Sequence, residues 1–88
     1  AIHGGVMGAL LEATAQCELL FRAESSVLPK TITLTIDYLR SAKPVETRAR
    51  AEVLKHGRRV ATVLVRAYQD DLANPVAVAT VHLLVRAD

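Results

Sequence analysis

The sequence predicts an α+β fold in which one long helix is followed by four antiparallel strands that pack against it. Three observations carry this expectation. Strong helix formers fill the first quarter of the chain, with apolar residues at helical spacing. From about residue 30 onward that rhythm gives way to period-two alternation. Short turn clusters, rather than helical crossovers, separate the alternating runs.

The helix is expected from Gly5 to about Ala23, where Ala, Leu, Met, Glu, Gln and Arg dominate. Val6, Leu10, Ala13, Cys17 and Leu20 recur at helical spacing and predict its apolar face. The first turns are apolar nearly all round, which predicts a central helix wrapped by other structure rather than one laid on a surface. The first strand follows Glu24-Ser25-Ser26: Ile32, Leu34, Ile36 and Tyr38 alternate with Thr31, Thr33, Thr35 and Asp37, a half-buried pattern. After the turn Ser41-Ala42-Lys43-Pro44, a second strand sets Thr47, Ala49, Ala51 and Val53 against the solvated Glu46, Arg48, Arg50 and Glu52. Lys55-His56-Gly57-Arg58 reads as a hairpin in which Gly57 supplies the positive φ of a tight turn. A third strand is expected from about Arg59 to Gln69, and Asp70 to Pro75 form the next turn. The last run, Val76 to Val85, is apolar except for Thr80 and His82, as for a strand covered on both faces or lying at a subunit contact.

Composition narrows the function. The 88 residues are one domain's worth of chain, and so small a domain gains from oligomerisation. Eleven basic and nine acidic residues leave a net charge of +2, too weak a field to argue for DNA or RNA. The only aromatics, Phe21, Tyr38 and Tyr68, offer little for bases to stack on. Cys17 has no partner cysteine in the chain, which points to the cytoplasm as the default compartment. No apolar run reaches the ~20 residues of a membrane span. His3, His56 and His82 are scattered without metal-ligand spacing, so no metal is expected.

Two constellations could carry chemistry. His3-Gly4-Gly5 stands at the helix start, where unpaired backbone N–H groups and the positive end of the macrodipole favour a developing negative charge. Glycine there lets a substrate oxygen approach, which is how an oxyanion site is built from backbone. Two glycines before a helix are also an ordinary loop. Glu12 is the only charged residue between Gly4 and Ala15, and at 100° per residue it shares a helix face with Gly5, Gly8, Ala9 and Gln16. A carboxylate among small residues is partly desolvated, which suits a base or nucleophile. The same pattern also fits the solvent side of an amphipathic helix.

Taken together, His3-Gly4-Gly5-Val6, Leu10 and Glu12, then Thr35 to Ala42 with Tyr38-Leu39-Arg40, then His56-Gly57-Arg58-Arg59, resemble the hotdog-fold acyl-CoA thioesterases, in particular the phenylacetate-pathway-type branch. That family is similar in carrying His-Gly-Gly at the helix start, an acid eight residues after the first glycine, a Tyr-Leu-Arg-like strand end and a Gly-Arg hairpin. The resemblance covers essentially all of residues 1–88 as a single hotdog domain. It implies a long central helix wrapped by an antiparallel sheet, and a homodimer, or a tetramer of paired dimers, with the active site at the dimer interface. The family's first strand, with an Asn or Gln that helps hold the carbonyl, is expected upstream of Ala1 and missing from this chain.

Carried over, the resemblance implies that the Gly4 N–H polarises a thioester carbonyl while Glu12, reaching across from the other subunit, activates water or attacks directly. His3 would support the carbonyl, and Gln16, one turn beyond Glu12, would orient the water or the carboxylate. Gly5 would line the carbonyl site. Among the cations at turns, Arg40, Lys43, Lys55, His56, Arg58 and Arg59, the expected partners of the coenzyme A phosphates are Arg58 and Arg59, with His56 beside them. Coenzyme A is then part of the substrate and no separate cofactor is expected; neither nucleic acid nor a membrane is an expected partner. Two rivals differ in class. A non-catalytic acyl-CoA-binding or dimerising module would keep the fold without turnover. A 3-hydroxyacyl thioester dehydratase is suggested by Glu12-Ala13-Thr14-Ala15-Gln16, but its catalytic His followed by Phe-Pro is absent.

Overall fold

The computed structural model describes residues 4–23, 29–40, 43 and 45–85. Helix α1 (Gly4–Ala23) is followed by strands β1 (Lys30–Tyr38), β2 (Arg48–His56), β3 (Val60–Tyr68) and β4 (Ala77–Leu84). The strands form one antiparallel sheet in the order β1-β4-β3-β2, so β3 and β4 are central and β1 and β2 are its edges. The α+β class expected from the sequence is the observed one.

The core is a single interface between α1 and one face of the sheet. Met7, Leu11, Ala15 and Leu19 project from the helix onto Ala61, Val63, Val65 and Ala67 of β3 and Ala77, Ala79, Val81 and Leu83 of β4, all buried. Four of the eight sheet positions are alanine, which lets the helix approach closely while its leucines fill the space between strands. Leu10, Leu34, Ile36, Ala49, Ala51, Val53 and Val85 close the periphery.

This stripe is not the one that spacing alone selects. Val6, Ala13 and Cys17 are exposed, and the buried set is shifted to Met7, Leu11, Ala15 and Leu19. Where nearly every residue of the first turns is apolar, hydropathy cannot choose a face; the alanine-lined strands do, by accommodating the larger side chains. α1 lies against all four strands of the one antiparallel sheet, the arrangement expected of a long helix wrapped by a sheet.

Two β-bulges reshape the edges. One lies between Thr31 and Thr33 of β1, the other between Val53 and Lys55 of β2. The first breaks the simple alternation: Ile32 is 52% exposed instead of facing inward with Leu34 and Ile36. Thr31, assigned by alternation to the solvent side, lies opposite the fully buried Leu83 on the helix-facing side. β2 keeps its expected sidedness, with Ala49, Ala51 and Val53 toward the helix and Arg48, Arg50 and Glu52 exposed. On the other face of β4, Val78, Thr80 and His82 are half-buried, and His82 Nδ1 is hydrogen-bonded to Thr62 Oγ1 at 3.1 Å.

The turns are held by short polar contacts. In the β2–β3 hairpin, Gly57 N donates to Val60 O at 3.0 Å. Its glycine is explained by that close approach, since a Cβ would stand 3.0 Å from the Val60 carbonyl, and not by a left-handed φ. Between β3 and β4, Asp71 accepts from Ala73 N at 3.0 Å and from Asn74 Nδ2 at 3.3 Å, a side-chain-capped turn. The β1–β2 connection must cross from one edge of the sheet to the other. Gln69 clamps it, accepting from Lys43 N at 3.0 Å and donating to Lys43 O and Thr47 Oγ1, each at 2.9 Å.

Two contacts orient the helix. A Cβ built on Gly8 would lie 3.4 Å from Ile36 Cδ1, and Gln16 Nε2 donates to Pro29 O at 3.0 Å. As the helix advances from residue 8 to 16, its neighbours therefore retreat from Ile36 on β1 to Pro29 just before it. The N-terminus of α1 lies at the end of the sheet where β1 finishes, and the β2–β3 hairpin lies at the opposite end. Among the described residues, no helix is long and apolar enough to cross a membrane.

Candidate functional site

The N-terminus of α1 begins at Gly4, and the helix has no acidic residue in its first turn to neutralise its positive end. The first backbone N–H groups of a helix have no intrahelical acceptor, so Gly4 and Gly5 offer donors to an incoming oxygen. Gly5 is exposed, and among the described residues nothing beyond its own stretch of helix lies within 4 Å of where a Cβ would stand. His3 lies outside the described residues.

One flank of α1, beside edge strand β1, carries Gly5, Gly8, Glu12 and Gln16, the face that the 100° spacing predicts. Gly8, Glu12 and Gln16 are half-buried. Among the described residues, no hydrogen bond or ion pair engages the Glu12 carboxylate. Gln16 is engaged: its amide ties α1 to Pro29, just before β1. That bond fixes the flank against the strand and leaves the Gln16 carbonyl oxygen as the end of the side chain available to another donor.

The structure adds Thr31, which the sequence reading placed on the wrong side of β1. Its Oγ1 is shielded from solvent and has no hydrogen-bond partner. A buried hydroxyl without a partner is disfavoured by about 1–3 kcal/mol, so such groups stand out in a folded protein. Thr31 is two residues beyond Pro29, the residue Gln16 holds, and faces the helix. Only the bulge at Ile32 turns it inward, and no pattern of residue types announces that bulge.

The remaining predicted residues lie elsewhere. His56 ends β2, and Arg58 and Arg59 form the turn; all three are exposed. Among the described residues the ion pairs are Glu18–Arg22, Glu46–Arg48 and Glu52–Arg66, so Lys55, Arg58 and Arg59 retain free cationic ends. Arg40, by contrast, donates to Asn74 Oδ1 at 3.0 Å. From Ala77 to Leu84, β4 spans ~23 Å at 3.3 Å per residue. That length separates the hairpin from the helix start, and Thr31 lies toward the hairpin end, in the cross-strand row Thr31–Leu83–Ala61–His56, so a single chain holds Gly4 and Gly5 at one end of the sheet and Thr31, His56, Arg58 and Arg59 toward the other, with Glu12 between them along α1. Cys17 is exposed. Among the described residues, no group of three or more His, Cys, Asp or Glu side chains could hold a metal ion.

Comparison with known proteins gives a consistent family. Residues 1–84 match the family described as the acyl-CoA thioesterase N-terminal domain. A crystallised protein of Chromobacterium violaceum is similar, at 44% identity and TM-score 0.84 over 97% of this chain and 62% of that one. A phenylacetic acid degradation-related protein of Ralstonia eutropha is 30% identical, with TM-score 0.85 over 96% of this chain and 62% of that one. A Bacillus halodurans protein crystallised with coenzyme A shares the fold, at 23% identity and TM-score 0.84 over 99% of this chain and 58% of that one. The chain thus spans less than two thirds of the length of each of these proteins. No curated protein matches it.

Proposed function

This chain belongs to the acyl-CoA thioesterase family, and on that premise we propose that it hydrolyses an acyl-CoA thioester to a carboxylic acid and free coenzyme A. The observation that carries the reading is the flank of α1: an unengaged, half-buried Glu12 carboxylate between open helix-start donors and the orphaned Thr31 hydroxyl.

The chemistry follows from these groups. The N–H groups of Gly4 and Gly5 hold the thioester carbonyl and stabilise the negative charge that develops on its oxygen during attack. Glu12 of the other copy, reaching across as the family resemblance implies, takes a proton from a water molecule whose oxygen adds to the carbonyl carbon. Thr31 Oγ1 and the Gln16 carbonyl oxygen orient that water. As the tetrahedral intermediate collapses, the C–S bond breaks and the thiolate receives a proton, giving coenzyme A and the acid. His3 supports the carbonyl from the segment preceding α1.

The hairpin enters through a second copy of the chain. The family resemblance supports a site at a dimer interface, and the separation of the hairpin from the helix start within one chain is compatible with such sharing. Arg58, Arg59 and His56 of one copy then meet the phosphates of a coenzyme A whose thioester lies at α1 of the other. Coenzyme A is part of the substrate, and each step uses backbone, side chains or water.

The test is thiol release from a panel of acyl-CoA esters by the full-length protein, beside Glu12→Ala at matched concentration. The expected result is hydrolysis of some esters by the parent and a loss on the order of 100-fold or more in turnover in the variant. Equal inertness of both proteins, with coenzyme A esters still bound, would replace hydrolysis with a non-catalytic acyl-CoA-binding role. Single turnover in ¹⁸O-labelled water separates the two roles of Glu12: label confined to the product acid supports base catalysis, and label in the Glu12 carboxylate supports direct attack.

A further inference from the structure

We propose that the outer face of the sheet, turned away from α1, is an interaction surface for a second copy of this chain, in the register that sets Asp37 of each copy against Arg50 of the other. The inference does not depend on the hydrolytic reading above, and the contact it describes leaves α1 uncovered.

Directly opposed residues of antiparallel strands share one face of a sheet, so the strand registers define the rows of this surface. One row runs Asp37, Val78, Arg66, Arg50 across β1, β4, β3 and β2. Its middle cation is engaged, since Arg66 is paired with Glu52 at 3.6 Å. Among the described residues, neither Asp37 nor Arg50 has an ion pair or a side-chain hydrogen bond. Three strand spacings put them ~14 Å apart, too far to pair within one chain. The row thus ends in an unpaired acid on one edge strand and an unpaired base on the other, and only another molecule brings an opposite charge to both.

The occupant follows from the order of the row. A two-fold axis running along the strands, between two outer faces packed together, lays β1 of one copy over β2 of the other and β4 over β3. Each row then meets itself reversed, so Asp37 lies over Arg50 of the other copy and Arg50 over Asp37. Nearer the hairpin, Leu84 and Val60 oppose each other within the chain and are 43% and 40% exposed; they meet Val60 and Leu84 of the other copy and close an apolar cluster. A two-fold axis across the strands instead sets Arg50 over Lys55 and Glu52 over Glu52, like charge on like. Stacked sheets cross at about 30°, which offsets Asp37 from Arg50 by about 4 Å, within reach of an arginine side chain. Four strands ~4.8 Å apart and eight residues long give a face of about 19 by 26 Å, or roughly 1,000 Å² for two copies, the size at which a specific contact holds.

The full-length protein is followed by sedimentation equilibrium as parent, Asp37→Arg, Arg50→Asp, the double variant, and an equimolar mixture of the two single variants. Each single variant sets like charges together at both ends of the row and is expected to weaken the contact by about 100-fold or more, halving the mass of the largest species. The double variant exchanges the charges and is expected to assemble as the parent does. The mixture is the sharper arm: a copy with arginine at both positions fits a copy with aspartate at both, so the mass is expected to return on mixing. A folding defect in either variant is not repaired that way.

Single variants that keep the parent's mass overturn the proposal, and so does a loss of mass that neither the mixture nor the double variant restores. Ester hydrolysis does not enter these readings, so the surface and the hydrolytic reading fail independently.

Discussion

The two sides of α1 do opposite work. The stripe of Met7, Leu11, Ala15 and Leu19 is buried against β3 and β4, without a polar atom in its side chains beyond the thioether of Met7. The neighbouring flank of Gly5, Gly8, Glu12 and Gln16 carries a carboxylate without a partner among the described residues, runs toward an orphaned hydroxyl and omits side chains where alanine would fit. The first arrangement is what packing favours; the second gives up stability that packing and helix propensity would have supplied. Proteins give up such stability where a ligand or reaction makes use of the result.

The comparison is tested by variants whose effects on stability and on activity separate. Leu11→Ala, in the stripe, is expected to lower unfolding free energy by about 2–5 kcal/mol in a denaturant titration, as deletion of a fully buried leucine does. Below its midpoint it should retain the parent's acyl preference. Glu12→Ala, one residue away on the flank, is expected to change stability by no more than about 0.5 kcal/mol while reducing turnover by the 100-fold or more stated above. If it unfolds the protein as readily as Leu11→Ala, the division of α1 into structural and functional sides is wrong.

Thr31→Val sharpens the contrast, because it removes an unsatisfied hydroxyl without changing shape much. It is expected to leave stability unchanged or raise it by up to about 1 kcal/mol and to lower kcat by about 10-fold through loss of a water-positioning group. Thr31→Ser should recover most of kcat, and an unimpaired Thr31→Val would remove the residue from the site. The smallest effect is expected at the hairpin. Arg58→Ala and Arg59→Ala should each raise KM by a few-fold, about 1 kcal/mol of exposed ion pairing, with kcat retained and the difference shrinking as salt rises. Loss of kcat without a change in KM would move the hairpin out of nucleotide binding.

Much of this was legible before any coordinates. β2 reads correctly because its faces differ sharply, alanine and valine against arginine and glutamate. Glu12 is legible because one charge in a run of apolar and small residues has no evident structural purpose, and its helical spacing from Gly5, Gly8 and Gln16 needs only the geometry of a helix. The buried stripe was not legible, since a segment apolar on nearly every side carries no information about which side is covered. Thr31 was not legible either, since a single-residue bulge reverses the facing of everything on one side of it and leaves no trace in residue types.

Sequence alone determined the element order, the turns, the family resemblance and the candidate carboxylate, because these depend on local propensity, short-range periodicity and the order of motifs along the chain. Tertiary structure decided the strand order, the face of α1 that meets the sheet, the inward turn of Thr31 and the wide separation of the Arg58-Arg59 hairpin from the helix start. Each of these depends on how distant segments meet. A pattern of residue types describes what each segment prefers to bury; which partner buries it is settled only when the alanine-lined strands, the bulge and the helix compete for the same space.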